Sequence, residues 1–173
     1  LGLAGPLHGY ANQEVINWIF DMIQEIDTDT PNEEQITDYV KKTLAEGRVI
    51  PGYGHAVLRQ TDPRFTAQQE FADKYIKDDK LINIVNTLSK VVPPILEATG
   101  KIQNPWPNVD AYSGSLLYHY GIKEHTFYTV LFGVSRALGV LASLIMDRLY
   151  GLPIERPSSY PLEWFRKQAE KKD

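Results

Sequence analysis

The chain has 173 residues, of which 43% are hydrophobic and 23% are charged, a composition typical of a globular domain with a hydrophobic core. Its formal net charge of −4 does not favour a nucleic-acid partner, because such proteins usually present a basic surface. The sequence contains no cysteine, which excludes disulfides, thiolate catalysis and cysteine-ligated zinc.

The opening segment shows neither a basic n-region nor an amphipathic presequence, so no targeting signal is expected in this piece. The chain starts with leucine and reads as part of something longer. The longest uncharged apolar run of its C-terminal half, residues 137–146, is too short for a membrane span. We therefore expect a soluble chain.

Helical periodicity dominates the sequence, and no alternating strand pattern stands out. Helices are predicted over residues 12–26, 33–45 and 81–98, from Asp62-Pro63 onward, from a Ser113 cap to near Gly121, over 125–150 and from Pro161. The helix over 81–98 should be kinked or broken at Pro93-Pro94, because proline lacks a backbone N–H. The predicted fold class is all-α.

Two of the four histidines lie in glycine- and proline-containing loops. His8 follows LAGPL, and His55 ends PGYGH. A polar ring in such a loop is either an exposed surface residue or a site residue held by an irregular backbone. The other two, His119 and His125, lie on or beside helices and are interpreted as structural or exposed.

Three arginines occupy unusual positions. Arg136 lies in the apolar helix TVLFGVSRALGVLASLIM, which predicts a buried helix. Its side chain then either pairs with an internal carboxylate, snorkels to the surface, or binds a ligand carboxylate or phosphate. Arg64 lies in the first turn of a helix, where the dipole disfavours a cation, and Arg156 lies in PIERP. Arg64 and Arg156 are each either a solvated surface residue or part of a site for an anionic substrate.

Asp110 follows the rigid segment NPWPNV and either caps the next helix or acts as a rigidly held base that abstracts a proton from carbon. The sequence contains no HExxH, EF-hand, Walker or GxGxxG pattern. It therefore predicts neither a metal site nor a nucleotide-phosphate loop.

Four strings, LAGPLHGYANQEV, VIPGYGHAVLRQTDPRF, NPWPNVDAYSG and FYTVLFGVSRALGVLASLI with the later IERP, closely resemble the C-terminal part of citrate synthase of the eukaryotic mitochondrial type. The resemblance covers essentially the whole chain in order. It implies an all-α fold with a large domain (residues 1–9 and 122–173) and a small domain (10–121) that closes over the substrate. It also implies a homodimer in the mitochondrial matrix.

The resemblance implies three catalytic residues. His8 matches the hydrogen-bond donor to the acetyl carbonyl, and Asp110 matches the base that takes a methyl proton from acetyl-CoA. His55 matches the histidine that polarises and then protonates the ketone of oxaloacetate. Glycine and proline in the loops would let each histidine point into a cleft.

The binding residues follow by the same resemblance. Arg64 and Arg136 match the arginines that hold the carboxylates of oxaloacetate and citrate, and Arg156 matches one that reaches the neighbouring subunit's site. Six residues match the backbone segment that contacts the adenine end of CoA: Val49, Ile50, Pro51, Gly52, Tyr53 and Gly54.

The implied activity is condensation of acetyl-CoA with oxaloacetate, followed by hydrolysis of citryl-CoA to citrate and CoA. The implied co-substrate is acetyl-CoA, without a permanently bound cofactor or a metal. Two alternatives stay open: 2-methylcitrate synthase, which uses propionyl-CoA, and a non-catalytic structural protein with the same fold. In the family, the part N-terminal to this segment carries another oxaloacetate-binding histidine and further CoA contacts, so this segment alone should not form a complete site.

Overall fold

The structure is a computed structural model that describes residues 5–100, 102–151, 153 and 160–170. These residues form seven α-helices: α1 (Ala11–Ile26), α2 (Glu33–Ala45), α3 (Pro63–Tyr75), α4 (Lys80–Ala98), α5 (Asp110–His119), α6 (Thr126–Tyr150) and α7 (Leu162–Ala169). Within these ranges the only β feature is an isolated bridge between Tyr53 and Pro107. The all-α prediction is confirmed.

The chain falls into two compact units, residues 1–135 and 136–173. In the first unit, α5 packs against α1, α3 and α4, while α2 packs against α1 and α4. The core between these helices is built from apolar side chains that include Ile16, Ile19, Met22, Val85 and Tyr112. A small-domain boundary at residues 10 and 121 remains a prediction.

The start of α3 confirms the predicted Asp62 cap, and the starts of α2 and α4 carry side-chain caps that were not predicted. Asn32 caps α2 through a capping box, in which its side chain and that of Gln35 accept each other's backbone N–H at 2.9 Å. Asp62 caps α3 just ahead of Pro63, and Asp79 caps α4. Each cap satisfies a backbone donor that the helix itself cannot.

Two predictions about helices are wrong. Helix α4 runs from Lys80 to Ala98 through Pro93-Pro94 and is not broken there, while a kink at the prolines stays a prediction. Helix α5 does not start at Ser113 but at Asp110.

The two histidines interpreted as structural make structural contacts. His119 Nδ1 lies 2.6 Å from the Asp79 carboxylate and so links the end of α5 to the start of α4. His125 stacks on Phe20 with ring centroids 5.0 Å apart, and its Nδ1 lies 3.1 Å from Asn17 Oδ1.

The prediction that the α6 helix is buried is wrong for this chain. Of the α6 residues only Tyr128 is buried. The first turns of α6 contact α1, where Thr129 Oγ1 donates a hydrogen bond to Gln13 Oε1 at 2.9 Å. An apolar helix is buried only where other elements surround it, and the described part of this chain covers just its start. By length and composition alone, α6 is also long and apolar enough to cross a membrane, a property shared by core helices of soluble proteins.

Candidate active site

The loops that carry His55 and Asp110 are joined side by side. We call residues 51–62 and 102–109 the loop pair. Gly54 N–H donates to Trp106 C=O at 3.0 Å, and Asn108 N–H donates to Gly52 C=O at 2.9 Å. Further along, the Asn104 side chain donates to Leu58 C=O at 2.7 Å. These bonds satisfy polar groups of an irregular backbone that would otherwise be costly to bury.

Glycine at position 52 is required by both backbone conformation and space. Its φ of +82° lies in the left-handed region, and a Cβ there would approach Ala111 Cα to 2.8 Å and Val15 Cγ2 to 2.9 Å. The loop can therefore lie directly on the contact between α1 and α5. This close approach brings the His55 loop to the helix that starts with Asp110.

The backbone around His55 fixes the tautomer of its ring. His55 Nδ1 accepts hydrogen bonds from the backbone N–H groups of Val57 and Leu58, each at 3.0 Å. A ring nitrogen that accepts two such bonds carries no proton, so the neutral ring holds its proton on Nε2. His55 is exposed and can present that N–H as a donor to a ligand.

Asp110 is the first residue of α5, and the N-cap position before it is held by Val109, which makes no side-chain capping hydrogen bond. The cap is supplied by neighbours: Asn108 Oδ1 accepts the Asp110 N–H at 2.9 Å, and Asp62 Oδ2 accepts the Val109 N–H at 3.2 Å. The alternative that Asp110 simply caps its helix is therefore wrong. Its carboxylate does not have to satisfy the helix end.

The electrostatic surroundings of Asp110 identify its neighbours. Burial raises the pKa of its carboxyl, and Arg64, His8 and His55 lower it. The negative charge of Asp62 also raises the pKa of the Asp110 carboxyl. Two predicted catalytic histidines and one predicted binding arginine thus lie close enough to influence the same carboxylate, although they come from three separate segments.

Asp62 forms an ion pair with Arg64 that was not predicted from the sequence. Its carboxylate, 1% exposed, accepts Arg64 Nε at 3.0 Å and Nη2 at 2.8 Å. This pair explains a cation in the first turn of α3, because the capping carboxylate lies beside it. The Arg64 side chain holds the pKa of Asp62 below its usual value. An aspartate at the cap two residues before an arginine was the available signal.

His8 lies in the turn that leads into α1, where its N–H donates to Gly5 C=O and its C=O accepts Ala11 N–H, both at 3.0 Å. Its ring meets Phe132 of α6 edge to face, with centroids 5.2 Å apart. Phe132 was not singled out from the sequence. The contact orients the His8 ring through the shape of its neighbour.

The remaining predicted binding residues are not among the groups that act on Asp110 within the first unit. Arg136 lies on α6, is exposed, and belongs to the second unit. Arg156 lies outside the described residues. In the predicted CoA segment, Val49 is 66% exposed and Ile50 is buried, while the Gly52 C=O and the Gly54 N–H are used within the loop pair. Among the described residues, no group of three or more histidine, aspartate or glutamate side chains could hold a metal ion.

Comparison with known proteins supplies the family. The family "Citrate synthase, C-terminal domain" matches residues 1–158. A protein of Glossina morsitans morsitans named "Probable citrate synthase, mitochondrial" is 60% identical over 170 residues, which are 98% of this chain and 36% of that protein. A mitochondrial 2-methylcitrate synthase of Yarrowia lipolytica is 59% identical over 94% of this chain and 35% of its own length.

A solved structure supports the fold. The ternary complex of a Thermoplasma acidophilum citrate synthase with carboxymethyl coenzyme A and oxaloacetate is similar in structure, with a TM-score of 0.67 and 22% identity over 93% of this chain and 43% of that one. The chain spans about a third of the length of the curated relatives it matches. It belongs to the citrate synthase family.

Proposed function

We propose that this chain supplies the catalytic residues of a citrate synthase, which condenses acetyl-CoA with oxaloacetate and hydrolyses citryl-CoA to citrate and CoA. The observation that carries the proposal is that hydrogen bonds through Asn108 join the loop of His55 to the start of α5, where burial raises the pKa of the Asp110 carboxyl and Arg64, His8 and His55 act on the same group. A carboxylate with a raised pKa is a stronger base towards a weak carbon acid.

The first step is removal of a proton from the acetyl methyl group by the Asp110 carboxylate. Negative charge then develops on the thioester carbonyl oxygen, and His8 stabilises it with a hydrogen bond from its ring N–H. The contact of His8 with Phe132 supports this role, because a neighbouring aromatic ring restricts the orientations of the imidazole and so helps to aim its donor.

The second step is attack of the enol carbon on the ketone carbon of oxaloacetate. The ketone oxygen gains electron density as the new carbon–carbon bond forms, and the Nε2–H of His55 donates to it. The two N–H donors on Nδ1 support this assignment, because they keep the ring proton on Nε2. Water then cleaves the citryl-CoA thioester, which releases citrate and CoA.

Oxaloacetate is a dianion, and its carboxylates would be held by Arg64, Arg136 and Arg156, the last from the partner subunit of a homodimer. Asp62 engages two of the five N–H donors of Arg64. The Arg64 side chain is 62% exposed, which leaves it accessible to a ligand. The CoA segment 49–54, the domain boundaries at 9 and 121 and a mitochondrial location belong to the same proposal, and the names of the relatives support the location.

The second candidate function is 2-methylcitrate synthase, which the Yarrowia lipolytica relative at 59% identity favours. The deciding experiment measures CoA release by the full natural polypeptide that carries this sequence, with oxaloacetate and either acetyl-CoA or propionyl-CoA. A strong preference for acetyl-CoA supports citrate synthase. Equal or faster use of propionyl-CoA supports the alternative, and no release with either would favour a non-catalytic protein.

Replacement of Asp110 tests the base directly. Asp110→Asn keeps the shape of the side chain and removes the proton acceptor, so kcat should fall by about 10²–10⁴-fold. The thermal midpoint should change little, since the carboxylate does not cap α5. A variant with the parent kcat would refute Asp110 as the base.

A further inference from the structure

We propose that Asn108 is a positioning residue that sets the distance between His55 and Asp110. The inference deepens the proposed function and rests on it. The Asn108 side chain makes hydrogen bonds beside both proposed catalytic residues. Its Nδ2 donates to the C=O of Gly54, the residue before His55, and its Oδ1 accepts the N–H of Asp110, each at 2.9 Å. One planar amide therefore spans from the peptide just before His55 to the peptide of Asp110.

The residue type is fixed by this arrangement. The bridge needs a donor and an acceptor on one short rigid group, and asparagine supplies both. Aspartate has no donor for Gly54 C=O, and serine is too short to reach both partners. The donor and acceptor roles of the two partners also allow only one orientation of the amide.

The rest of the loop pair does not depend on this side chain. Asn108 N–H still reaches Gly52 C=O in any variant, and Gly54 N–H still donates to Trp106 C=O at 3.0 Å. The Asn104 bond to Leu58 C=O at 2.7 Å also remains. Loss of the bridge should therefore shift His55 relative to Asp110 without unfolding either loop.

Such a shift acts on the condensation step. Asp110 generates the nucleophilic carbon, and His55 activates the carbon that it attacks, so the two groups must hold both reactants in register. A misplacement of about 1 Å can reduce a rate by about 10²-fold. Oxaloacetate binding depends mainly on the arginines and CoA binding on the whole segment 49–54, so each KM should change less than kcat.

Two variants break the Gly54 half of the bridge and keep an acceptor for the Asp110 N–H, one without and one with an added charge. Asn108→Ser retains a hydroxyl that can accept the Asp110 N–H but cannot reach Gly54. Asn108→Asp retains the acceptor and adds a negative charge next to Asp110, which should raise the pKa of that base. We expect kcat to fall by about 10–100-fold in both, with each KM within about 3-fold. In Asn108→Asp the acid limb of the kcat–pH profile should also move to higher pH.

Asn86→Ala is the matched control. Asn86 Oδ1 accepts two side-chain hydrogen bonds, from Tyr112 Oη and Gln69 Nε2, both at 3.1 Å, but it joins helices and not the loop pair. It should lower the thermal midpoint while kcat, normalised to folded protein by circular dichroism, stays within about 2-fold of the parent.

The experiment is CoA release by the full natural polypeptide, with kcat and KM for both substrates in the parent and the three variants. Reduced kcat with retained KM for the Asn108 variants alone supports the inference. Parent-like kcat, or a rise in KM without a fall in kcat, overturns the role of Asn108 and leaves the proposed function intact. A parent that releases no CoA from any acyl-CoA overturns both.

Discussion

The loop pair and helix α6 differ in how their backbone polar groups are satisfied and in how far their residues are covered. The loop pair is irregular and lies against the core, and its polar backbone groups are matched within the chain by bonds such as Gly54 N–H to Trp106 C=O at 3.0 Å. Helix α6 is regular and apolar, and all its residues except Tyr128 are at least partly exposed. The polar segment is thus the better packed of the two.

The difference shows which part of the candidate site is complete within this chain. An irregular backbone can be held only by specific partners, and those partners, Asn104, Asn108 and Asp62, all lie in the loop pair itself. A helix satisfies its own backbone, so α6 can form without neighbours. His55 and Asp110 are therefore positioned locally, whereas Arg136 depends on whatever surrounds α6.

The largest effect that tests this comparison is expected from paired glycine substitutions. Gly52→Ala should destabilise the chain by about 2–5 kcal/mol, because the residue combines φ +82° with Cβ contacts below 3 Å. Gly139→Ala on α6 should stabilise it by about 0.5–1 kcal/mol, since no heavy atom of the described residues lies within 4 Å of its Cβ and alanine favours helices.

Urea unfolding of the 173-residue chain measures both variants. Equal destabilisation at the two positions would contradict the distinction between a packed loop and an uncovered helix. In the full natural polypeptide, a stability cost for Gly139→Ala would reveal a segment that covers this face of α6.

The next effect concerns ligand affinity. Arg136→Leu should weaken oxaloacetate binding by about 10–100-fold, because a charge-assisted hydrogen bond contributes about 1.5–3 kcal/mol. Stability should change by less than about 0.5 kcal/mol, since Arg136 is exposed and its helical neighbours are apolar. Calorimetric titration of the full natural polypeptide with oxaloacetate measures the affinity.

Arg148→Leu on the same helix is the control and should leave oxaloacetate affinity unchanged, because Arg148 is not among the predicted site residues. If Arg136→Leu instead destabilised the protein and retained affinity, Arg136 would belong to an internal ion pair.

The sequence predicted the helices well where periodicity and caps act locally. Helix α2 has the predicted bounds 33–45, and α3 begins at the predicted Asp62-Pro63 signal. At the start of α5, the Asp110 N–H is satisfied by Asn108, a local signal that was missed, whereas the Val109 N–H is satisfied by Asp62, 47 positions earlier in the chain. Capping by a distant side chain leaves no local pattern.

The candidate site shows the same limit. The resemblance named His8, His55 and Asp110, and the irregular loops around them were visible in the glycines and prolines. The sequence did not reveal that Asn108 bridges two of them or that Phe132 packs on His8. These contacts join segments that are far apart in the chain, so only the folded arrangement shows them.

The smallest expected effect tests whether an ion pair in the loop pair contributes more to stability than an ion pair on the surface. Asp62→Asn should destabilise the chain by about 1–2 kcal/mol at pH 7, because a buried amide would direct a donor at Arg64 or Val109. Glu46→Gln is the matched control: Arg48 makes a similar pair with Glu46, at 3.0 and 2.7 Å, but that carboxylate is 41% exposed. Its loss should cost less than about 0.5 kcal/mol.

The pH dependence of this difference follows from the direction of the Asp62 shift. Arg64 lowers the pKa of Asp62 from 3.8, so the folded state favours the ionised carboxylate more than the unfolded state does. The stabilisation is fully present well above pH 3.8 and is lost as the pH falls through the lower pKa of the folded protein. The free-energy difference between parent and Asp62→Asn should therefore shrink in urea titrations below pH 3.8. A difference that stayed constant there would mean that Asp62 stabilises the loop pair through its shape and hydrogen bonds, with no contribution from its charge.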